Sequence, residues 1–201
     1  MKCVLFMFKG KLSLKKILYK ILTVLLCAFW GFYALLGMAN CVAKKYLYPL
    51  KNQQTVFEFA DVYGLERALV FAVIKVESGF DENAESRAGA IGLMQITPDT
   101  AKYIADLQGI EKYDLKDQRT NVNFGCFYIK YLMQKFKNAD TAMVAYNAGE
   151  GNVSLWLMNP EYSDDRITLK YIPFPESREY IKKIKETFAK YKKLYGNILD
   201  K

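Results

Sequence analysis

One carboxylic acid, Glu77, ends a strongly apolar run of residues. Val70, Val73 and Ile74 precede it at helical spacing, which predicts that they share one helix face with the acid. Gly79 is suited to end that helix in a left-handed conformation, so Glu77 lies near the negative end of the helix dipole. Apolar surroundings and the dipole both disfavour the carboxylate, and we expect them to raise the pKa of Glu77. An acid that keeps its proton near neutral pH can protonate a glycosidic oxygen.

Three later segments carry side chains suited to binding a polar ligand: Gly92–Ile96, Ala145–Gly149 and Ile172–Tyr180. Gln95 and Asn147 have amides that donate and accept, which suits acetamido and hydroxyl groups. Met94 offers an adaptable apolar contact, and Tyr146 and Tyr180 each combine a flat ring with a hydroxyl. Gly89 and Gly92 would let backbone approach a bulky ligand closely.

Each of these residues also has a purely structural interpretation. A terminal Glu often bonds nearby backbone, a Met or Tyr often belongs to the core, and glycines often form turns. Only their occurrence together favours a site.

The composition excludes several catalytic designs. The chain has no histidine, which rules out Ser-His-Asp and Cys-His mechanisms and the usual zinc sites. Cys3, Cys27 and Cys41 lie in or beside an apolar segment, so Cys126 is left without a partner and is expected to be a packing residue. A carboxylate remains for acid–base chemistry, and we expect no cofactor and no metal.

Residues 21–43 contain no charged side chain and are long enough to cross a hydrocarbon core of roughly 30 Å. A transmembrane anchor is the favoured interpretation. A cleaved signal peptide is the alternative, although its apolar region is usually about 7–15 residues. Cys41 is a poor lipoprotein site because Asn40 precedes it.

Lysines dominate the chain around this segment. Six precede it and three follow it, which predicts a cytoplasmic N-terminus and an outer domain on the other side. The net charge is +8, but nine of the 29 basic residues and none of the 21 acidic residues lie in 1–51. The remaining 20 basic and 21 acidic residues are nearly balanced, so a nucleic-acid partner is not indicated.

The sequence divides into a basic N-terminus (1–20), the anchor (21–43), a short linker (44–54) and an outer domain (55–201). Apolar periodicity in the outer domain predicts helices and no strands. The expected helices are 55–63, 65–78, 98–107, 121–137, 139–146 and 176–195, with a short helical turn at 153–157. Asn121 is expected to open its helix, and 147–151 to break the helix before it.

Taken in order, the motifs around Glu77, Gly92–Gln95, Ala145–Gly149 and Ile172–Tyr180 resemble the soluble lytic transglycosylases, relatives of goose-type lysozyme. The resemblance runs over most of the outer domain. It implies an all-α, lysozyme-like fold with a groove for peptidoglycan glycan strands, and it assigns Glu77 as the single catalytic acid and base.

The resemblance also implies a set of residues lining the groove near Glu77: Ser86, Met94, Gln95, Tyr146, Asn147, Glu176 and Tyr180. Two positions depart from the family pattern. Ser177 stands where Thr is common, and Glu150 stands where Pro is frequent.

Ordinary glycosidases use two carboxylates. Asp81, Glu82 and Glu85 lie near Glu77 in sequence, but we interpret them as solvated loop acids. The resemblance implies instead that the sugar supplies the nucleophile and ends as a 1,6-anhydromuramic residue. Two alternatives stay open: hydrolysis of the same bond, as in a lysozyme, and a peptidoglycan-binding module without catalysis.

Overall fold

The computed structural model describes residues 14–200, and their chain divides into two units. The first unit ends at Leu47 and the second begins at Tyr48. Part of the predicted basic N-terminus lies outside the described residues, namely Lys2, Cys3, Lys9 and Lys11.

In its described residues, the first unit consists of one long helix and the turn that follows it. Helix α1 spans Leu14–Val42 and is followed by a π-helical turn, Ala43–Leu47. Its 29 residues correspond to about 43 Å, which exceeds a hydrocarbon core of roughly 30 Å. Large apolar side chains along it are exposed, among them Trp30 at 68%. Within the described residues, this is the one helix long and apolar enough to cross a membrane.

The second unit consists of seven helices in the described part of the chain. They are α2 (Gln53–Tyr63), α3 (Arg67–Glu77), α4 (Pro98–Gln108), α5 (Gln118–Phe136), α6 (Ala139–Ala148), α7 (Glu150–Met158) and α8 (Pro175–Leu199). Residues 14–200 contain no β-strand, and their only β-structure is two isolated bridges that both involve Ile91. The predicted all-α class is confirmed.

Helix α3 lies in the core of this unit because residues 68–74 are all apolar. The predicted face of Val70, Val73 and Ile74 is fully buried, and so is Phe71 between them. Helix α3 packs chiefly against α8, where Phe71 stacks on Tyr191 at 5.5 Å between ring centroids. The helix that ends in Glu77 is therefore held rigidly along its length.

Helix α5 begins three residues earlier than predicted. Asp117 accepts a hydrogen bond from the backbone N–H of Thr120 at 2.8 Å and so acts as the N-cap. Asn121, predicted to open the helix, lies inside it and is buried. That prediction was wrong because Asp117, upstream of Asn121, is an equally good cap.

The break between α6 and α7 is narrower than predicted. Gly149 alone separates the two helices, at φ 85° and ψ 138°, a conformation that favours glycine. Glu150 begins α7, and Gly151 lies within it. The predicted short turn at 153–157 is a nine-residue helix.

Residues 48–50 belong to the predicted linker, but in the structure they pack against the helices of the second unit. The Tyr191 hydroxyl donates to the Pro49 carbonyl at 3.1 Å, and the Tyr195 hydroxyl donates to the Tyr48 carbonyl at 2.9 Å. The Tyr48 ring meets the Tyr191 ring edge-on at 5.6 Å. The side chain of Leu50 also packs on the core. The second unit thus begins before α2.

Candidate active site

Glu77 is the last residue of α3 and is partly buried. The pKa of Glu77 is raised to about 7. Burial is the main cause, the Tyr180 hydroxyl partly offsets it, and the nearby Glu176 carboxylate adds to the rise. Gly79 follows at φ 63°, the left-handed conformation that the sequence predicts. A carboxyl group with this pKa exists in both protonation states near neutral pH, so it can give up a proton and take one back.

Two tyrosines lie beside the acid, the buried Tyr180 and the partly buried Tyr146. Burial raises the pKa values of Tyr146 and Tyr180, and the negative charge of Glu77 raises both further. The Tyr146 hydroxyl donates to the Met94 carbonyl at 2.7 Å. The Tyr180 hydroxyl lies close enough to Glu77 to favour its carboxylate, but it makes no hydrogen bond of normal geometry to any described residue. Tyr180 therefore keeps a buried polar atom available beside the acid.

Glu176 lies in the first turn of α8, where the helix dipole favours an acidic side chain. Its side chain is exposed, unlike that of Glu77, although the two charges interact. The predicted site thus contains one partly buried acid and one solvated acid.

Ser78, which the sequence analysis did not single out, holds the chain immediately after the acid. Its hydroxyl lies 2.8 Å from the Leu93 carbonyl and accepts from the Phe80 N–H at 3.1 Å. The turn after Glu77 is thereby joined to the segment that precedes Met94. The pair Glu77-Ser78 was visible in the sequence as part of the family motif, but the contact of Ser78 with Leu93 was not.

Asn121 of α5 is the second residue that sequence reasoning missed. Its side-chain N–H₂ donates to the carbonyls of Ile91 and Leu115 at 2.8 and 2.9 Å, and its oxygen accepts from the Met94 N–H at 2.8 Å. A Cβ added to Gly92 would lie 2.3 Å from the Asn121 side chain. Gly92 was predicted to let the backbone approach a ligand closely. In the structure its missing side chain instead makes room for the side chain of Asn121.

Met94 was predicted to contact substrate through its side chain. That side chain is fully buried and packs on Gly125 of α5, where an added Cβ would lie 2.3 Å from the sulfur. The site-facing atom of Met94 is its backbone carbonyl, which accepts from Tyr146.

Gln95 and Ser86 lie in the same loop. Gln95 has φ 49°, which is unusual outside glycine, and its amide N–H₂ donates to the carbonyls of Ala84 and Gly92 at 3.1 and 3.0 Å. Ser86 is exposed, and its hydroxyl accepts from the Ala90 N–H at 3.0 Å. Both side chains shape the loop in this structure, and the amide oxygen of Gln95 has no described hydrogen bond to the protein.

Asn147 is joined to the start of α8. The Ser177 hydroxyl donates to the Asn147 side-chain oxygen at 2.7 Å, which leaves the amide N–H₂ of Asn147 for other partners. Arg178 donates to the carbonyls of Ile172 and Pro173 at 2.6 and 3.2 Å. The motif Ile172–Tyr180 is therefore folded on itself and against α6, and this places Glu176 and Tyr180 near Glu77.

Of the three loop acids, Glu82 departs from the solvated interpretation. It is half-buried and accepts a hydrogen bond from Gln118, whose own oxygen accepts from Asn52. Asp81 and Glu85 are exposed. Glu82 thus ties the loop to the start of α5.

The sequence of residues 54–169 matches the model of the Transglycosylase SLT domain. The chain belongs to this family. It is 32% identical over 156 residues to the soluble lytic murein transglycosylase of Escherichia coli K12, which covers 75% of this chain and 24% of that protein. It is 30% identical over 174 residues to the membrane-bound lytic murein transglycosylase C of Haemophilus ducreyi, covering 74% and 46%.

Solved structures agree with the sequence match. The lytic transglycosylase Slt of Pseudomonas aeruginosa, in an inactive mutant form, superposes with a TM-score of 0.65 at 31% identity. That superposition covers 73% of this chain and 24% of the other. This member of the SLT family thus spans about a quarter of the soluble relatives' length and under half of the membrane-bound relative's. The membrane-bound relative and helix α1 together suggest membrane anchoring.

Proposed function

We propose that this SLT-family chain is a peptidoglycan lytic transglycosylase. It would cleave the β-1,4 bond between N-acetylmuramic acid and N-acetylglucosamine and leave a 1,6-anhydromuramic end. The observation that carries the proposal is the partly buried Glu77, whose pKa is raised to about 7 at the end of a rigid core helix. Membership in the family supports the substrate class.

In the first step, protonated Glu77 gives its proton to the glycosidic oxygen, and the bond from that oxygen to the anomeric carbon of muramic acid breaks. N-acetylglucosamine leaves as an alcohol. The acetamido oxygen of the muramic acid stabilises the positive anomeric carbon, as in substrate-assisted glycosidases. Tyr180 supplies a buried hydroxyl beside the acid with hydrogen-bonding capacity to spare.

In the second step, ionised Glu77 takes the proton from the 6-hydroxyl of the same muramic acid. The 6-oxygen then bonds to the anomeric carbon and closes the anhydro ring, so no water is consumed. One carboxyl serves as acid and then as base, which requires a pKa near the working pH. The value of about 7 at Glu77 meets that requirement.

The residues proposed to contact the substrate are those that the sequence predicts, except that Met94 contributes its backbone carbonyl and not its side chain. The residues are Ser86, Gln95, Tyr146, Asn147, Glu176 and Tyr180, with Met94 contributing through its carbonyl. The amide groups of Gln95 and Asn147 that the protein leaves available suit the acetamido groups of the glycan.

Hydrolysis of the same bond is a second candidate, which the interaction of Glu176 with Glu77 favours. Glu176 is an exposed carboxylate that could activate water, the role of the base in an inverting glycosidase. In that mechanism the product keeps a reducing end and is heavier by one water.

Mass analysis of purified glycan digested by the full chain separates these reactions. Anhydro ends, abolished by Glu77→Gln and still formed with Glu176→Gln, support transglycosylation. Reducing ends that disappear with Glu176→Gln establish hydrolysis. Glycan that stays intact while bound to the full chain would instead favour a binding module.

We further propose that residues 21–43 cross the membrane once and that residues after Lys44 face the cell wall. The excess of lysines before this segment supports that orientation. Protease added outside spheroplasts should remove the second unit and spare an N-terminal tag. Protection of the second unit would reverse the topology, and release of the whole protein without an anchor would indicate cleavage.

A further inference from the structure

A row of aromatic rings leads from the candidate active site to the protein surface. The Tyr146 ring lies 5.6 Å from the Tyr128 ring, which stacks on Tyr131 at 6.1 Å and 10° between planes. Tyr131 meets Tyr103 of α4 edge-on at 5.7 Å. We call Tyr146, Tyr128, Tyr131 and Tyr103 the tyrosine row.

Beyond Tyr146, which is partly buried, the row changes from buried to exposed. Tyr128 is 7% exposed, Tyr131 is half-buried and Tyr103 is 39% exposed. Leu107, one helical turn after Tyr103, is 52% exposed and extends the apolar surface at the outer end. An exposed aromatic and apolar surface that continues from a buried site toward solvent suits a ligand longer than the reacting unit.

A polar network runs beside the two outer rings. The Tyr103 hydroxyl donates to the Tyr131 hydroxyl at 3.0 Å, and the Tyr131 hydroxyl interacts in turn with the Glu150 carboxylate. Lys135 donates to Glu150 at 2.8 Å and lies 5.7 Å from the centre of the Tyr131 ring. The Lys135 and Glu150 side chains are 36% and 30% exposed, so both keep polar atoms at the surface.

Glu150 links this network to the active site through the chain itself. It is the first residue of α7 and follows Tyr146 by four positions, across the Gly149 break.

We propose that Tyr103, Tyr131 and Glu150 form an outer saccharide subsite, which binds a glycan unit beyond those at the cleaved bond. This inference rests on the proposed function. The exposed Tyr103 ring, supported by Tyr131, contacts the apolar face of a sugar, and Glu150 and Lys135 bond its hydroxyl and acetamido groups. The glycan is favoured over the peptide stems because the network offers flat rings with both donors and acceptors, and its charges already balance each other.

Binding to the full chain carrying Glu77→Gln, in detergent micelles, tests the subsite without requiring catalysis. The probes are purified glycan oligosaccharides of increasing length from which the peptide stems have been removed. Adding Tyr103→Ala should weaken binding of the long oligosaccharides about threefold to tenfold and leave the shortest unchanged. Tyr103→Phe should keep the affinity within about twofold, because the ring face remains.

Tyr113→Ala is the matched control, since Tyr113 is also 39% exposed and makes one ring contact, to Phe124. It should bind every length as the parent does. The proposal is overturned if Tyr103→Ala binds these stem-free long oligosaccharides as tightly as the parent, or if it weakens the binding of all lengths equally. The two proposals can also fail separately. If Tyr103 is needed for binding long oligosaccharides but the parent protein with Glu77 intact cleaves no glycan, the subsite is kept and the proposed reaction is rejected.

Discussion

At the scale of single residues, the burial of Glu77 lowers folding stability near neutral pH but gives the acid the pKa that the proposed reaction needs. Burial disfavours the carboxylate and is the main cause of the raised pKa of Glu77. The unfolded chain loses this proton near pH 4.5, whereas the folded chain keeps it until about pH 7. Folding stability from this group is therefore full below pH 4.5 and is lost as the pH rises to about 7.

Replacing Glu77 by Gln should remove this loss of stability. As the pH rises between the two pKa values, the parent loses at most about 3 kcal/mol of unfolding free energy. Gln carries no charge at any pH, so Glu77→Gln should be more stable than the parent at pH 8 by up to that amount. At pH 4 the two proteins should unfold alike. Denaturant unfolding at both pH values checks this, and an equal difference at pH 4 and pH 8 would show that the charge is not the cause.

The rate of cleavage should follow the same proton. Because the acid must be protonated, kcat/KM should fall about tenfold per pH unit above pH 7. Tyr180→Phe should shift this alkaline limb to higher pH, since the Tyr180 hydroxyl favours the carboxylate. At pH 4, where Glu77 is protonated, it should not destabilise the fold, because that hydroxyl makes no other hydrogen bond in the described residues.

Tyr146→Phe is the contrasting variant, because the Tyr146 hydroxyl does make a hydrogen bond to the protein. It removes the hydrogen bond to the Met94 carbonyl and should cost about 1 kcal/mol of unfolding free energy. A pH profile that stays in place with Tyr180→Phe would remove Tyr180 from the mechanism.

The sequence predicted Glu77 because its features are local: an apolar run, helical spacing and a following glycine. The two tyrosines were identified through motifs, and the structure brings both to the acid. Asn121 was misinterpreted because a helix-capping residue and a buried amide look the same in one sequence. Its three partners are contributed by distant segments, which only the folded chain brings together.

At the scale of elements, α5 acts as the support for the loop between α3 and α4. Asn121 holds that loop through hydrogen bonds, and Gly125 accommodates the Met94 side chain. The loop has almost no regular structure of its own, only two isolated bridges in its described residues. Its shape is therefore determined by α5 and by the Ser78 contact rather than by local propensity.

Two glycines of this loop test that account. Gly92 and Gly89 both have left-handed φ values, 80° and 77°. An added Cβ at Gly92 would clash with Asn121 and with the Leu115 carbonyl, whereas at Gly89 nothing lies within 4 Å. Gly92→Ala should therefore cost about 2–5 kcal/mol, from backbone strain and overpacking, and Gly89→Ala only about 1–2 kcal/mol from strain.

Denaturant midpoints of the two variants, measured against the parent, give the comparison. Equal losses would mean that the loop moves away from α5 without penalty, and Asn121 would then not be its support.

Helix existence was predictable because the apolar periodicity is strong, and boundaries were predicted less well. Helix α7 was underestimated because two glycines flank Glu150, and the sequence does not show that only Gly149 leaves the helix. Helix α8 extends four residues past its predicted end, where Leu199 is buried against the core. Tertiary contact, absent from a local pattern, decides such ends.

At the scale of the whole molecule, the second unit needs residues that its sequence pattern assigns to a linker. Tyr48 and Pro49 accept hydrogen bonds from Tyr195 and Tyr191 on α8, and the Tyr48 ring covers Tyr191. Tyr191 in turn stacks on Phe71 of α3, the helix that ends in Glu77. The start of this unit and the helix that ends in Glu77 therefore share one aromatic cluster.

The minimal folded fragment should accordingly begin at residue 48 and not at residue 52. Deleting residues 48–51 leaves the Tyr191 hydroxyl without its Pro49 acceptor, and an unsatisfied buried group costs about 1–3 kcal/mol. Loss of the Tyr48 ring contact adds to this. We expect fragment 48–201 to be soluble and to cleave glycan, and 52–201 to be less stable by about 2–5 kcal/mol. The variant Tyr191→Phe, in which Pro49 is kept but its donor is lost, should reproduce only part of that loss. Thermal unfolding of the three proteins checks the prediction, and equal stability of the two fragments would show that residues 48–51 contribute nothing to the fold.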